Sequence, residues 1–182
     1  MNGHNFQLIE RLYSSDRKYH VISPYTGRVL PVNPSELQQR ARELADKLDI
    51  RGVDYIVGFP QQGLVPAYAV AVETNVPFIA AQKARLRDQK TEIVFLEPHQ
   101  EKENQNLYIY GIMPGSTVVI VDDEVDTGRT TRDAIRALAE RSIKVKDVGA
   151  FIFSGSDESL GAFKELGYNL KYLHRIEMEA AP

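Results

Sequence analysis

The sequence predicts an α/β fold, a doubly wound and mostly parallel sheet flanked by helices. Three observations lead there. Apolar, β-branched runs alternate with segments of helical periodicity from residue 33 onward, the pattern of strands joined by right-handed helical crossovers. The run Thr117–Val121 is apolar throughout, as a central strand covered on both faces requires. The 182 residues, 43% of them hydrophobic, suffice for a single domain over 1–182 but not for two ordinary ones.

The elements follow in order. Residues 6–13 (FQLIERLY) read as a short helix and 19–23 (YHVIS) as a strand. Pro24-Tyr25-Thr26-Gly27 is a turn by composition, with Arg28 to Val32 returning as a second short strand. A helix comes next. Asn33 can cap it, Pro34 suits its first position, Glu36 stands three residues beyond the cap, and Leu37, Ala41, Leu44, Ala45 and Leu48 recur at helical spacing. Strands are then expected at 54–58, 77–81, 117–121, 148–153 and 170–173, and helices at 64–74, 130–141 and 159–166. Residues 91–96 and 107–111 form a hairpin across the polar segment 97–106. Ligands of such sheets sit at the carboxyl ends of the strands, so the segments after Gly58, Ala81 and Val121 should surround one cleft.

Composition narrows the function. A net charge of −3 argues against a nucleic-acid surface, which needs a cationic stripe. Without cysteine there are no disulfides, thiol catalysis or thiolate-held metals. The first residues, MNGHNFQLIERLYSS, carry no long apolar stretch, and no segment approaches a membrane span; a cytoplasmic protein is expected. The four histidines, at 4, 20, 99 and 174, lack zinc spacing and read as surface or packing residues.

Chemistry concentrates in Val118–Thr131, VVIVDDEVDTGRTT. An apolar strand delivers Asp122 and Asp123, and a helix begins after Asp126-Thr127-Gly128-Arg129. A glycine-containing loop exposes successive backbone N–H groups, and a helix N-terminus adds about half a positive charge, so the segment is an anion cradle. The hydroxyls of Thr127, Thr130 and Thr131 can add donors. The two acids would repel that anion and suit a vicinal diol instead. A ribose 5-phosphate carries both groups. A solvated acidic turn would account for the acids but not for TGRTT at this offset. A P-loop needs G-x-x-x-x-G-K-[ST], which is absent. A response-regulator receiver begins with a similar acidic cluster but needs roughly a hundred further residues by the size of a single domain, and 59 follow Asp123.

The same segment resembles the motif that binds 5-phosphoribosyl-1-pyrophosphate (PRPP) in type I phosphoribosyltransferases: an apolar strand, two acids, two variable residues, then a small or acidic residue, Thr-Gly and Thr. Over about Tyr19 to Glu177 the chain is similar to the adenine and bacterial xanthine branches of that family. The resemblance implies that Asp122 and Asp123 hold the ribose hydroxyls and that Asp126, Thr127, Gly128, Arg129, Thr130 and Thr131 bind the 5-phosphate. It makes Gly58–Gly63 the pyrophosphate loop, with Gln61, Gln62 and Gly63 at its tip, and Lys83 the lysine that reaches the phosphates. Adenine enzymes often have arginine in that loop; amides donate hydrogen bonds but offset no charge, so Lys83, Arg85, Arg87 and magnesium have to supply it. Residues 83–105 resemble a closing hood loop, about 1–32 contribute a small hood, and Val21, Ile22 and Tyr25, with Tyr19, would line the base pocket or a core edge. Asp126 in VDDEVDTGRT resembles the hypoxanthine–guanine enzymes and would be the general base; Glu97, after Leu96, resembles a loop glutamate of the adenine enzymes and is the other catalytic candidate.

The implied reaction transfers the phosphoribosyl group of PRPP to a nitrogenous base, with a purine expected. Magnesium would be held mainly by PRPP, reaching Asp122 and Asp123 at most through water, and a homodimer is implied. Two alternatives stay open. One is a PRPP-sensing regulator of the same fold, although the 18 residues before Tyr19 are short for a winged helix. The other is a phosphoribosyltransferase for a non-purine aromatic substrate.

Overall fold

The computed structural model describes residues 6–10, 19–87, 90–97 and 105–177. Along the chain lie β1 (Gln7–Glu10), β2 (Tyr19–Ile22), α1 (Pro34–Ala45), β3 (Tyr55–Gly58), α2 (Leu64–Thr74), β4 (Phe78–Ala80), β5 (Ile93–Glu97) and β6 (Gln105–Ile109). After them come β7 (Thr117–Val125), α3 (Arg129–Glu140), β8 (Lys144–Phe153), α4 (Asp157–Glu165) and β9 (Lys171–Arg175).

Five strands form the parallel sheet, in the order β4-β3-β7-β8-β9. The chain moves outward from β3 to β4, returns to the other side of β3 as β7, and then moves outward the opposite way. The direction therefore reverses between β3 and β7, and a crevice opens there at the strands' carboxyl ends. β7 is apolar on both faces because both are covered. Val118 and Ile120 join one core, with the β5–β6 hairpin, Ala134 and Leu138 of α3, and Phe163 of α4. Val119 and Val121 join the other, with Ala41 and Leu44 of α1 and Ala67 and Val70 of α2. The period-2 alternation of a strand makes that division.

Helix starts fall into two kinds. Asn33 Oδ1 accepts the N–H groups of Ser35 and Glu36 at 3.0 and 3.3 Å, and Ser156 Oγ accepts that of Ser159 at 3.3 Å, so α1 and α4 carry side-chain caps. α2 and α3 instead begin after Gly63 and Gly128, neither capped by a side chain. Both uncapped starts follow the two strands that flank the crevice.

The remaining pieces are antiparallel ribbons, β1 with β2 and β5 with β6. Gln82 ties the second to the sheet: its N–H and carbonyl both bond Tyr108, each at 2.9 Å.

Three expectations are corrected. Within 6–13 the described part is the strand β1, paired with β2, rather than a helix; residues 11–13 lie outside the described residues. Arg28 to Val32 form bends and coil, with no strand partner. β7 does not end at Val121 but runs on to Val125, because Asp122 and Glu124 stay in register with Ala150 and Ile152 of β8. The acids thus sit on a paired strand end and not in a turn. The predicted hairpin, the α2 boundaries and the strand–helix alternation agree with the structure.

Candidate active site

The crevice is a cleft of about 360 Å³ lined by Arg28, Pro60, Gln61, Gln62, Lys83, Glu97 and Asp122 to Glu124. The segments after β3 and β4 meet the end of β7 there, at the point where the strand order reverses. The loop after β3 lies directly on the acids. A Cβ placed on Gly63 would stand 2.3 Å from Asp122 Oδ1, so only glycine allows the loop this close. The Pro60–Gln61 peptide is cis.

Asp122 Oδ1 accepts the backbone N–H of Asp123 at 3.0 Å. That bond does not compensate for burial. Removal from water, then the charges of Glu124 and Glu97, push Asp122 up to about 6. Asp123 is also pushed well above the usual carboxylate range, by burial first and then by Asp122 and Glu124. Ser154 donates a short hydrogen bond to Glu124, fixing the third acid. The cleft therefore gathers carboxylates that hydroxyl donors or a cation would relieve.

Lys83 Nζ lies 3.1 Å from Glu97 Oε2. The Gln82–Tyr108 clamp explains that meeting, since it fastens the segment after β4 to the hairpin that carries Glu97.

Beyond the cleft, Asp126, Thr127 and Gly128 link β7 to α3. Gly128 has φ +67°, and the Phe163 ring is 2.4 Å from where its Cβ would be, so the turn needs glycine on two counts. The Arg129 N–H points to Thr127 Oγ1 at 3.5 Å. The carbonyl of Asp126 is packed so closely against Gly155 that a Cβ there would stand 2.1 Å away. The turn thus has a left-handed glycine, threonine hydroxyls and a helix start without a side-chain cap, the features that an anion cradle would use.

Several assigned residues fall elsewhere. Thr131 is buried on the core stripe of α3 with Ala134, Ile135 and Leu138, so of the three threonines only Thr127 and Thr130 are left outside that stripe. Arg85 grips Glu92 with two bonds of 2.9 and 2.8 Å and does not line the cleft. Arg87 is exposed and does not line it either. Tyr25 is 1% exposed, packs edge-on against Phe6 and Phe151, and donates to Glu36, so it belongs to the core and not to a base pocket. Val21 joins the same core, and Ile22 is buried. The hood loop 83–105 includes 88–89 and 98–104, which lie outside the described residues, as do His4 and His99. His174 packs against Phe6 and Tyr25, a packing role as expected.

Sequence reasoning missed Arg28 and Glu124. The period-2 pattern continuing past Val121 could have found Glu124. Arg28 had a weaker signal, a glycine just before it at the end of a Pro-Tyr-Thr-Gly turn.

Comparison with known proteins decides the family. A family model described as phosphoribosyl transferase matches residues 10–171. The chain belongs to that family. The hypoxanthine/guanine phosphoribosyltransferase of Methanocaldococcus infernus is 31% identical over 159 residues, 87% of this chain and 85% of its own. That of Methanotorris igneus is 29% identical over 162 residues, 88% and 86% of the two chains. Among solved structures, adenine phosphoribosyltransferase from Thermoanaerobacter pseudethanolicus superposes with a TM-score of 0.72 at 18% identity, over 94% of this chain and 95% of that one. The fold is thus the type I phosphoribosyltransferase fold, and this phosphoribosyltransferase is an enzyme that transfers a phosphoribosyl group. Among the described residues no helix is long and apolar enough to cross a membrane.

Proposed function

We propose that this phosphoribosyltransferase moves the 5-phosphoribosyl group of PRPP to a 6-oxopurine, releasing pyrophosphate. One observation carries the reading. Acids that suit a diol stand between two helix starts that lack side-chain caps, and both starts lie at the strand-order reversal. PRPP has that layout, a diol between a phosphate and a pyrophosphate. The acceptor is inferred from Asp126 together with relatives named hypoxanthine/guanine phosphoribosyltransferases.

In this reading Thr127, Thr130 and the first N–H groups of α3 hold the 5-phosphate. Asp122 and Asp123 accept from the ribose hydroxyls. Gln61, Gln62, Lys83 and the start of α2 hold the pyrophosphate, and Lys83 leaves Glu97 to do so. As the bond from C1 to pyrophosphate breaks, positive charge gathers at C1, as in other glycosyl transfers. Asp126 takes the proton of the attacking ring nitrogen. Hard carboxylate oxygens suit magnesium, but the described residues contain no group of three or more that could hold it alone. PRPP oxygens would hold the ion, with Asp122 and Asp123 reaching it through water, and it would supply charge neutralisation at the leaving group. The enzyme works as a cytoplasmic homodimer in this proposal.

The test is a screen of bases with PRPP and magnesium, read by pyrophosphate release. Turnover of hypoxanthine or guanine supports the reading. Turnover of adenine alone moves the acceptor, and binding of PRPP without any turnover points to the regulator.

A further inference from the structure

Charge in the cleft does not balance around a bound pyrophosphate. Four carboxylates line it, from Glu97, Asp122, Asp123 and Glu124, against two cations, Lys83 and Arg28. Lys83 is already engaged by Glu97. Arg85, the next cation along the chain, is held by Glu92 outside the cleft. The loop tip, Gln61 and Gln62, carries amides and no charge. Among the described residues that line the cleft, Arg28 is the cation whose side chain has no hydrogen bond or ion pair.

Its placement is built rather than incidental. Tyr25 is locked in the core, and its N–H donates to Ser23 Oγ at 3.1 Å. Thr26 is buried, and its hydroxyl donates to the Ser23 carbonyl at 3.4 Å. Gly27 then takes φ +71°, a left-handed step that reverses the chain, and the Arg28 N–H returns to Thr26 Oγ1 at 3.5 Å. The backbone of an exposed arginine is thereby fastened to a buried turn. The cleft it faces excludes Asp126 to Thr130 and includes Pro60 to Gln62, so it is the end away from the 5-phosphate cradle.

We propose that Arg28 is a binding residue for the pyrophosphate of PRPP, supplying from the N-terminal segment the charge that the Gln61–Gln62 loop lacks. A guanidinium presents a planar fork of donors that matches two phosphate oxygens, which an amide cannot reproduce with charge. The inference rests on the functional reading above. It adds that the pyrophosphate site is completed across two distant parts of the chain.

Titration calorimetry on the full chain tests it, with magnesium PRPP, magnesium pyrophosphate and ribose 5-phosphate as separate probes. R28Q is expected to weaken PRPP and pyrophosphate by about 10- to 100-fold, the loss of a charge-assisted bond, and to leave ribose 5-phosphate within about twofold. R28K should recover part of the loss. The melting temperature should stay within about 2 °C, as for an exposed side chain without partners. Equal weakening of all three ligands, or unchanged pyrophosphate affinity, overturns the role. Wild-type protein that binds ribose 5-phosphate but not PRPP instead overturns the functional reading, and the proposal with it.

Discussion

Burial and neighbouring carboxylates hold Asp122 up at about 6 and raise Asp123 well above the usual carboxylate range. A carboxyl whose folded pKa lies above its unfolded one contributes stability that is complete below the unfolded value, and it is lost as pH rises through the folded one. Near pH 7.5 the unliganded fold therefore carries an unfavourable pair, and near pH 4 it does not. Asp122→Asn should raise the melting temperature of the unliganded protein at pH 7.5 by ~2–4 °C, about 1 kcal/mol. That gain should shrink toward zero near pH 4 while PRPP binding is lost at both. A uniform shift at all pH values, or a variant that still binds PRPP, would refute the account. A second comparison separates the catalytic candidates. Asp126→Asn should cut kcat by ~10²–10⁴ with PRPP affinity nearly unchanged, whereas Glu97→Gln, which loosens the ion pair with Lys83, should cost less than about tenfold. The reverse ranking, read by steady-state kinetics, would make Glu97 the base. The acid pair and TGRTT were legible because no structural turn needs them at that spacing. Arg28 and the burial of Thr131 were not. The first depends on a tertiary turn, and the second on which face of α3 the core covers.

Glycine precedes both helices that start without a side-chain cap, but for different reasons, and substitution should reveal the difference. Gly63 has φ −65°, open to any residue, and the obstacle is space: a Cβ would stand 2.3 Å from Asp122 Oδ1 and 3.0 Å from the Phe59 carbonyl oxygen. Gly128 has φ +67° and also meets a phenylalanine ring. Gly63→Ala should therefore push the loop off the acids and abolish PRPP binding, with a smaller loss of stability than Gly128→Ala, since no left-handed backbone is involved. Gly128→Ala adds a left-handed backbone cost of roughly 1–2 kcal/mol to the clash, so it should lower the melting temperature by several degrees and also lose ribose 5-phosphate. Denaturation and ligand titration on the two variants read both effects. Equal destabilisation would contradict the assignment of Gly63. At this scale the long helices were legible from periodicity and caps, as with Asn33-Pro34 in α1. Residues 6–10 were not, since a few residues carry too little period to tell helix from strand, and pairing with β2 decides them. The extension of β8 back to Lys144 hid in an alternating, charged stretch, KVKD, that reads as surface until it pairs with β7.

At the scale of the molecule, the ligand is expected to act as a clamp between the two core faces. α2 belongs to one core and α3 to the other, and they start on neighbouring strands, β3 and β7. PRPP bound across both starts joins layers that otherwise touch through the sheet. Alternation of strands and helices made this layering predictable from the sequence, because each apolar stripe has one sheet face to cover. The order of strands was not, since it depends on which edge the chain takes after β4. A ligand that binds only the folded state at about 100 times its Kd adds roughly 2.7 kcal/mol, or ~5–10 °C for a domain of this size. Magnesium PRPP should give that shift. Ribose 5-phosphate, which spans the cradle and acids but leaves α2 unengaged, should give a smaller one at matched concentration because it binds more weakly. Pyrophosphate alone should give the smallest, with no diol for the acids. Replacing both Asp122 and Asp123 by Asn should erase the PRPP shift while the unliganded protein melts no lower than wild type. If ribose 5-phosphate stabilises as strongly as PRPP, the start of α2 holds no phosphate, and the cleft serves something shorter.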